Sequence, residues 1–473
     1  MNRAVRVLLF LVMSFQISQS RLCAAGPDSA GTLGRIDSCI ASQMSIRHIP
    51  GLALAVIRDG VPLLIKGYGL ANLELNVPVT PRTLFQSASV GKQFTAALVM
   101  LLVEQGKIRL DEPISTYLPD SPPAWRKITM RHLLTHTSGI TDHNGDSLAA
   151  DYRHDYTEDR MLAQIRRYPL AFQPGDKWAY TNAGYVLIGV IIHRVSGQFH
   201  GDLLKRYIFG PLGMETARIV SESDVVPNRA AGYRLDKGEW KNQEWVAPTF
   251  NTTAAGSLHI SILDLLKWDA ALSSGNILSK SSYEQIWSPV RLSNDSLHPY
   301  GFGWMLTPVN GHRTIYHPGG WQGFNNFIGR YPDDHLSVIL LTNLNPDNPN
   351  RIAQAVAGIC VPALAVRDPE PVPDCEPAFK RAVEKLVSPP DSLDGLERLF
   401  TQGFRPGGLS ALKSSRSLIN QFGPVLSIEM VGCTRVAGST TLRYRVRYRA
   451  SSRIATVIHT EGGEISAFSS STE

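Results

Sequence analysis

Apolar positions along the chain change their period several times, and each change marks an element. Leu33, Ile36, Ile40 and Met44 stand near helical spacing, which predicts an amphipathic helix over residues 33–46. Two apolar runs, 52–57 and 62–68, flank Asp59-Gly60, the dipeptide of a tight hairpin turn. From residue 84 to about 245 the pattern is mostly helical and loop-like. One helix opens at Ser89 and runs into the apolar segment 94–103; others are expected at 130–135, 160–168, 183–195 and 203–208. After Ala254 a further helix starts with Ser261 and Asp264 in a near capping box. Strand patterns return at 301–306, 313–317, 326–331 and 336–342, and a last helix is expected over 351–360.

This order predicts an α/β (α+β) domain, an antiparallel sheet flanked by helices and split by a helical insertion. The two parts would meet along a cleft, where small-molecule sites commonly form. Residues 367–377, with Pro369, Pro371, Pro373 and Pro377 among charges, have linker composition. Beyond them a helical stretch near 379–387 leads to alternating runs at 425–431, 441–448 and 454–460. The turn Glu461-Gly462-Gly463 and a final strand complete a small α+β accessory domain over 378–473.

A chain of 473 residues, 43% hydrophobic and 19% charged, suits a globular protein of two domains. Its net charge of +6 comes from scattered Lys and Arg, so no nucleic-acid partner is expected, and the run 443–449 reads as the wet face of a strand. Arg3 and Arg6 precede the apolar run 7–15, and Cys23-Ala24-Ala25 offers a small-residue cleavage site before Gly26. Residues 1–25 therefore read as a secretory signal, the main domain as 26–366, and the protein as exported, periplasmic or secreted. No other stretch approaches 18 uninterrupted apolar residues, so no transmembrane anchor is expected. Cys39, Cys360, Cys375 and Cys433 remain, compatible with three pairings or with free buried thiols. The order of elements favours Cys39 with Cys360, at the two ends of the main domain, and Cys375 with Cys433 beyond the linker.

The chemistry is expected at Ser89 and Lys92. Three apart at a helix start, they share one face, and an amine beside a hydroxyl can take its proton. The helix N-terminus adds free N–H groups for an oxyanion. Ser410 and Lys413 repeat the spacing without comparable surroundings. Tyr180-Thr181-Asn182 precedes the helix 183–195; the phenol can shuttle a proton and the amide can orient Lys92 or a substrate. His317-Pro318-Gly319-Gly320 ends a strand, where glycines allow close backbone approach and an N–H can complete an oxyanion hole. His143-Asn144-Gly145 has a similar pattern but lies in a polar loop ahead of Tyr180. Neither Cys-x-x-Cys nor His-Glu-x-x-His occurs, so no metal site is expected.

With these three motifs in this order, the chain resembles the serine beta-lactamase-like family, in particular its class C and penicillin-binding-protein branch of D-alanyl peptidases and esterases. Leu133-Leu134-Thr135-His136-Thr137-Ser138-Gly139, Pro174-Gly175-Asp176-Lys177-Trp178 and Ala255-Gly256-Ser257-Leu258 extend the likeness over about residues 33–363. The resemblance implies a beta-lactamase/transpeptidase-like fold and an exported serine hydrolase acting through an acyl-enzyme on an amide, peptide or ester carbonyl. It gives Ser89 as nucleophile, Lys92 and Tyr180 as proton carriers, and the N–H groups of Ser89 and Gly320 as oxyanion donors. Asn182, His317 and Gly319 would bind substrate. No cofactor is implied, and the partner is a small-molecule or peptide substrate. His317 stands where beta-lactamases proper carry Lys, and Pro318 lacks the hydroxyl and N–H of a Thr. A true beta-lactamase, or a penicillin sensor with little turnover, is the alternative.

Overall fold

The computed structural model describes residues 29–140, 153–221, 223–248, 253–345, 348–365, 370–388, 395–405, 408, 409, 412, 422–436, 438–449 and 452–472. The signal segment, Ser410 with Lys413, and His143 lie outside the described residues. The chain divides into two compact units, Met1–Ala365 and Val366–Glu473.

The first unit is built on an antiparallel sheet whose strands run, edge to edge, Ile315–Trp321, Phe324–Tyr331, Leu336–Thr342, Gly51–Arg58, Val61–Asn72 and Val77–Pro78. Asp59 and Gly60, with φ of 52° and 75°, make the hairpin turn with both residues left-handed, which matches the twist of the flanking strands. Strand Leu336–Thr342 is buried throughout and Gly51–Arg58 at all but Arg58, so both faces of the central sheet are covered. That explains why these strands read as unbroken apolar runs and not as alternation. Leu52, Leu54 and Val56 face Ile36, Ile40, Ile352 and Val356 of the terminal helices Ser29–Arg47 and Pro349–Cys360. Ala53 and Ala55 join the larger core shared with helices Lys92–Glu104, Asn182–Ser196 and Ile262–Ser274.

The helical elements fall close to their predicted positions, and two local expectations change. Residues 301–306 do not form a strand; Met305 makes isolated bridges to Tyr300 and Tyr316. Gly303, at φ 74°, lies where a Cβ would stand 2.9 Å from the Lys92 carbonyl, so this segment is a close-packed loop against the Ser89 helix. Ser261 caps helix Ile262–Ser274 by accepting the Asp264 N–H, but the Asp264 carboxylate turns away to accept the N–H groups of Thr216 and Ala217 at 2.8 Å. Among the described residues no helix is long and apolar enough to cross a membrane.

In the second unit, helix Lys380–Val387 packs on an antiparallel meander of Val425–Val436, Ser439–Tyr448, Ser452–Thr460 and Ile465–Thr472. Arg443 and Arg447 are exposed as expected, but Arg445 is buried, with Glu429 3.7 Å away. Cys375 and Cys433 form a disulfide with Cα atoms 6.5 Å apart, inside the reach of such a bridge. The expected Cys39–Cys360 bond is absent, and both are free thiols. Their helices do pack together, but Ile36 and Ile40 hold the inward positions of the first helix and leave Cys39 half-buried beside them.

The bond closes a separation of 58 residues, for which the chain-entropy relation gives about 4 kcal/mol. The double substitution Cys375→Ser, Cys433→Ser should lower the urea midpoint of the second unit accordingly. A non-reducing peptide map should pair Cys375 with Cys433 and leave Cys39 and Cys360 unlinked.

Candidate active site

Ser89 is delivered by a short strand and a sharp turn. Strand Leu84–Gln86 pairs with Leu258–Ser261, and the Ser87 N–H continues the ladder to the Leu258 carbonyl at 2.7 Å. The chain then enters a 3-10 turn, Ala88–Gly91, that runs directly into helix Lys92–Glu104. Ala88, one residue before Ser89, is buried with φ 51°, a conformation that costs a non-glycine residue roughly 1–2 kcal/mol. Such strain persists only where the surroundings over-determine the backbone, and here they do. Asn326, fully buried, donates to the Gln86 carbonyl at 2.7 Å and accepts the Thr342 N–H at 3.2 Å, tying the approach strand to the sheet. Gly319 presses on the turn from the edge strand; a Cβ there would collide with the Ser87 carbonyl and stand 3.1 Å from the Ser89 nitrogen.

Two polar groups converge on Ser89. Lys92 Nζ donates to its Oγ at 2.9 Å and the Tyr180 hydroxyl donates to it at 2.8 Å. Lys92 is fully buried, and its Nζ also donates to Asn182 Oδ1 at 2.9 Å and to the Ala255 carbonyl at 2.7 Å. The same Nζ lies 5.0 Å from the Tyr180 ring centroid and 5.3 Å from that of Tyr185. Tyr180 and Asn182 reach the site because Thr181 is the N-cap of helix Asn182–Ser196, so the tripeptide straddles the point where the chain turns into the helix. The geometry thus gathers Lys92 and Tyr180 around the Ser89 oxygen, and Asn182 and the Ala255 carbonyl around the Lys92 amine.

The third motif is placed differently from expectation. His317 to Gly320 lie within edge strand Ile315–Trp321, with Gly319 opposite Asn326 and Gly320 opposite Asn325. An edge position tolerates Pro318, which cannot donate to a ladder. Gly319 is buried against the Ser89 turn, whereas Gly320 is exposed. His317 is 1% exposed, and both ring nitrogens are engaged: Nδ1 with the Pro318 carbonyl at 2.6 Å and Nε2 with the Tyr300 hydroxyl at 3.0 Å. Burial first, and Lys92 second, push its pKa down to about 3. His317 is therefore neutral, with both ring nitrogens engaged within the protein. Sequence reasoning missed the contact residues Ala255, Asn326, His136 and Tyr300. His136 and Ala255 fell within stretches noted for their likeness, while Tyr300 stood beside a segment read as a strand.

Gly319→Ala should displace the Ser89 turn, lowering unfolding free energy by about 1–3 kcal/mol as overpacking does. Its acylation rate should fall more steeply than that of a distant variant of equal stability, measured by mass spectrometry beside thermal unfolding.

The beta-lactamase family model matches residues 36–361, a span holding all these groups. The chain is 33% identical to penicillin-binding protein 4* of Bacillus subtilis (strain 168) over 299 residues, which cover 59% of this chain and 65% of that one. It is 30% identical to a D-aminopeptidase of Gluconobacter oxydans (strain 621H) over 319 residues, covering 65% and 58% respectively. The chain thus spans less than two thirds of the length of these two relatives. Among solved structures, the D-amino acid amidase of Ochrobactrum anthropi SV3 complexed with D-phenylalanine superposes with a TM-score of 0.60 at 26% identity, covering 71% of this chain and 98% of that one. The octameric penicillin-binding protein homologue of Pyrococcus abyssi shares the fold, with a TM-score of 0.64 at 24% identity over 93% of this chain and 96% of that one. By sequence, fold and the match across its first unit, the chain belongs to the beta-lactamase family.

Proposed function

We propose that this protein is an exported serine hydrolase that forms an acyl-enzyme on Ser89 and cleaves amide, peptide or ester bonds, with D-amino-acid amides and peptides as the favoured class. The observation that carries this reading is the seating of Ser89 Oγ between Lys92 Nζ and the Tyr180 hydroxyl, at 2.9 and 2.8 Å. A neutral lysine amine has two N–H groups and one lone pair. Asn182 Oδ1 and the Ala255 carbonyl can take the two hydrogens, leaving the lone pair directed at the Ser89 hydroxyl. Ser89 Oγ then bonds to the carbonyl carbon while its proton passes to Lys92. Tyr180, in contact with Oγ, returns a proton to the leaving amine or alkoxide and is replenished from Lys92. Water enters by the reverse route and releases the acid. The Ser89 N–H lies at the start of a helical turn, without an intrahelical acceptor, and the strand of Gly319 and Gly320 runs beside it. Those two features support the Ser89 and Gly320 N–H groups as the oxyanion hole.

The neutral, enclosed His317 favours substrates that need no fixed cation in the third motif, and the D-aminopeptidase and D-amino acid amidase relatives point the same way. A penicillin-binding or beta-lactamase role stands second, supported by penicillin-binding protein 4* among the relatives. Export rests on Arg3, Arg6 and the apolar run 7–15, and the Cys375–Cys433 disulfide suits an oxidising compartment.

Ser89→Ala should abolish both turnover and the acyl-enzyme mass while leaving the fold intact. Lys92→Arg keeps the charge but cannot give up its proton, and turnover should fall by roughly 10²-fold or more. Both are to be read against D- and L-amino-acid amides, aryl esters, D-alanyl peptides and a chromogenic cephalosporin. Wild-type-like turnover by Lys92→Arg would exclude lysine as base, and faster cleavage of the cephalosporin than of every amide would favour the second reading.

A further inference from the structure

His136 is buried, has φ 59° and touches both halves of the site. Its backbone carbonyl accepts the Ala179 N–H at 2.9 Å, and its Nδ1 faces the Thr181 N–H at 3.3 Å. These two contacts grip the chain on either side of Tyr180, whose ring lies over the imidazole with centroids 4.3 Å apart. On its other side His136 Nε2 meets the Tyr300 hydroxyl at 3.1 Å, and that hydroxyl meets His317 Nε2 at 3.0 Å. None of the three side chains is more than 1% exposed.

Two backbone groups fix both imidazole tautomers in this row. A peptide N–H can only donate, so Thr181 makes His136 Nδ1 an acceptor, and neutral His136 carries its hydrogen on Nε2. A carbonyl can only accept, so Pro318 makes His317 Nδ1 the protonated nitrogen and leaves Nε2 bare. The Tyr300 oxygen then accepts from His136, and its one hydrogen faces both His317 Nε2 and the Tyr185 oxygen; His317 Nε2 needs it as its donor, whereas the Tyr185 hydroxyl is already bonded to the Leu134 carbonyl at 3.0 Å.

We propose that His136 and Tyr300 are positioning residues that join Tyr180 to the His317 strand through this row of hydrogen bonds. This rests on the hydrolase reading for its kinetic consequence, though not for its structure. The groups facing His136 are Lys92, Tyr180, Tyr185, Trp178, Tyr300 and, through charge, His317; those facing His317 are Lys92, Tyr180 and Tyr300. Burial and the Lys92 charge both disfavour an imidazolium at either ring.

The test uses the full chain with histidine ring nitrogens labelled with ¹⁵N, titrated by NMR beside kinetics. In the wild type, His136 should be protonated at Nε2 and His317 at Nδ1, with neither titrating between about pH 5 and 8. Tyr300→Phe keeps the ring and removes the hydroxyl. The Nε2 resonances of His136 and His317 should then move, because each ring loses its hydrogen-bond partner, and kcat should fall about tenfold or more while KM stays within about twofold. The opposite tautomer at either wild-type histidine would overturn the proposal. So would a folded Tyr300→Phe protein with wild-type kcat and unaltered Nε2 resonances at both rings. If that variant does not fold, the wild-type tautomers decide. If the wild type turns over no substrate of the panel, the hydrolase reading fails while the tautomers and the Nε2 resonances still judge the row.

Discussion

A lysine amine with no exposed surface, held 2.9 Å from a serine hydroxyl, is the constraint to which the first unit is built. Taking an ammonium out of water costs several kcal/mol unless its hydrogens find acceptors. Here the acceptors come from remote parts of the chain: Asn182 from the entry of one helix and the Ala255 carbonyl from the segment before another. Both are neutral oxygens, which hold the amine in place without themselves adding a charge to oppose its own. The helical insertion can thus be understood as what carries Tyr180 and Asn182 to the amine, and the sheet as what carries the Ser89 turn.

The turn itself is held by contact more than by its own preferences. Ala88 adopts a left-handed backbone that isolation would not favour, and Gly319 supplies a neighbouring strand with no Cβ to obstruct it. Asn326 connects that turn to the sheet interior through two backbone groups. The free positions around Ser89 are therefore few, which is what a nucleophile needs if its base is to stay aligned. His317 belongs to the same framework. Its ring nitrogens are engaged by the Pro318 carbonyl and the Tyr300 hydroxyl, which ties strand to loop.

Much of this was legible in the sequence wherever a local rule sufficed. The spacing of Ser89 and Lys92 encodes one face of a helical turn, Asp59-Gly60 encodes the hairpin, and the unbroken apolar runs mark the covered central strands. What was not legible depends on groups far apart in sequence. Ala255 meets Lys92 across 163 residues and His136 meets Tyr300 across 164, and no periodicity reports such contacts. Residues 301–306 read as a strand because a glycine-rich loop packed under a helix has the same apolar content. The helices that carry Cys39 and Cys360 pack together, but isoleucines hold the inward positions of the first, and only Cys375 and Cys433, with Cα atoms 6.5 Å apart, form a disulfide among the described residues.

The central claim is that Ser89 becomes covalently acylated. Its most direct test is to quench the protein during reaction with a slowly released aryl ester or D-amino-acid ester, digest it with trypsin and sequence the modified peptide. The account predicts the acyl mass on the peptide spanning residues 83–92, with fragment ions placing it on Ser89 and not on Ser87. A label on any other residue, or turnover with no covalent intermediate on that peptide under rapid quench, would contradict it.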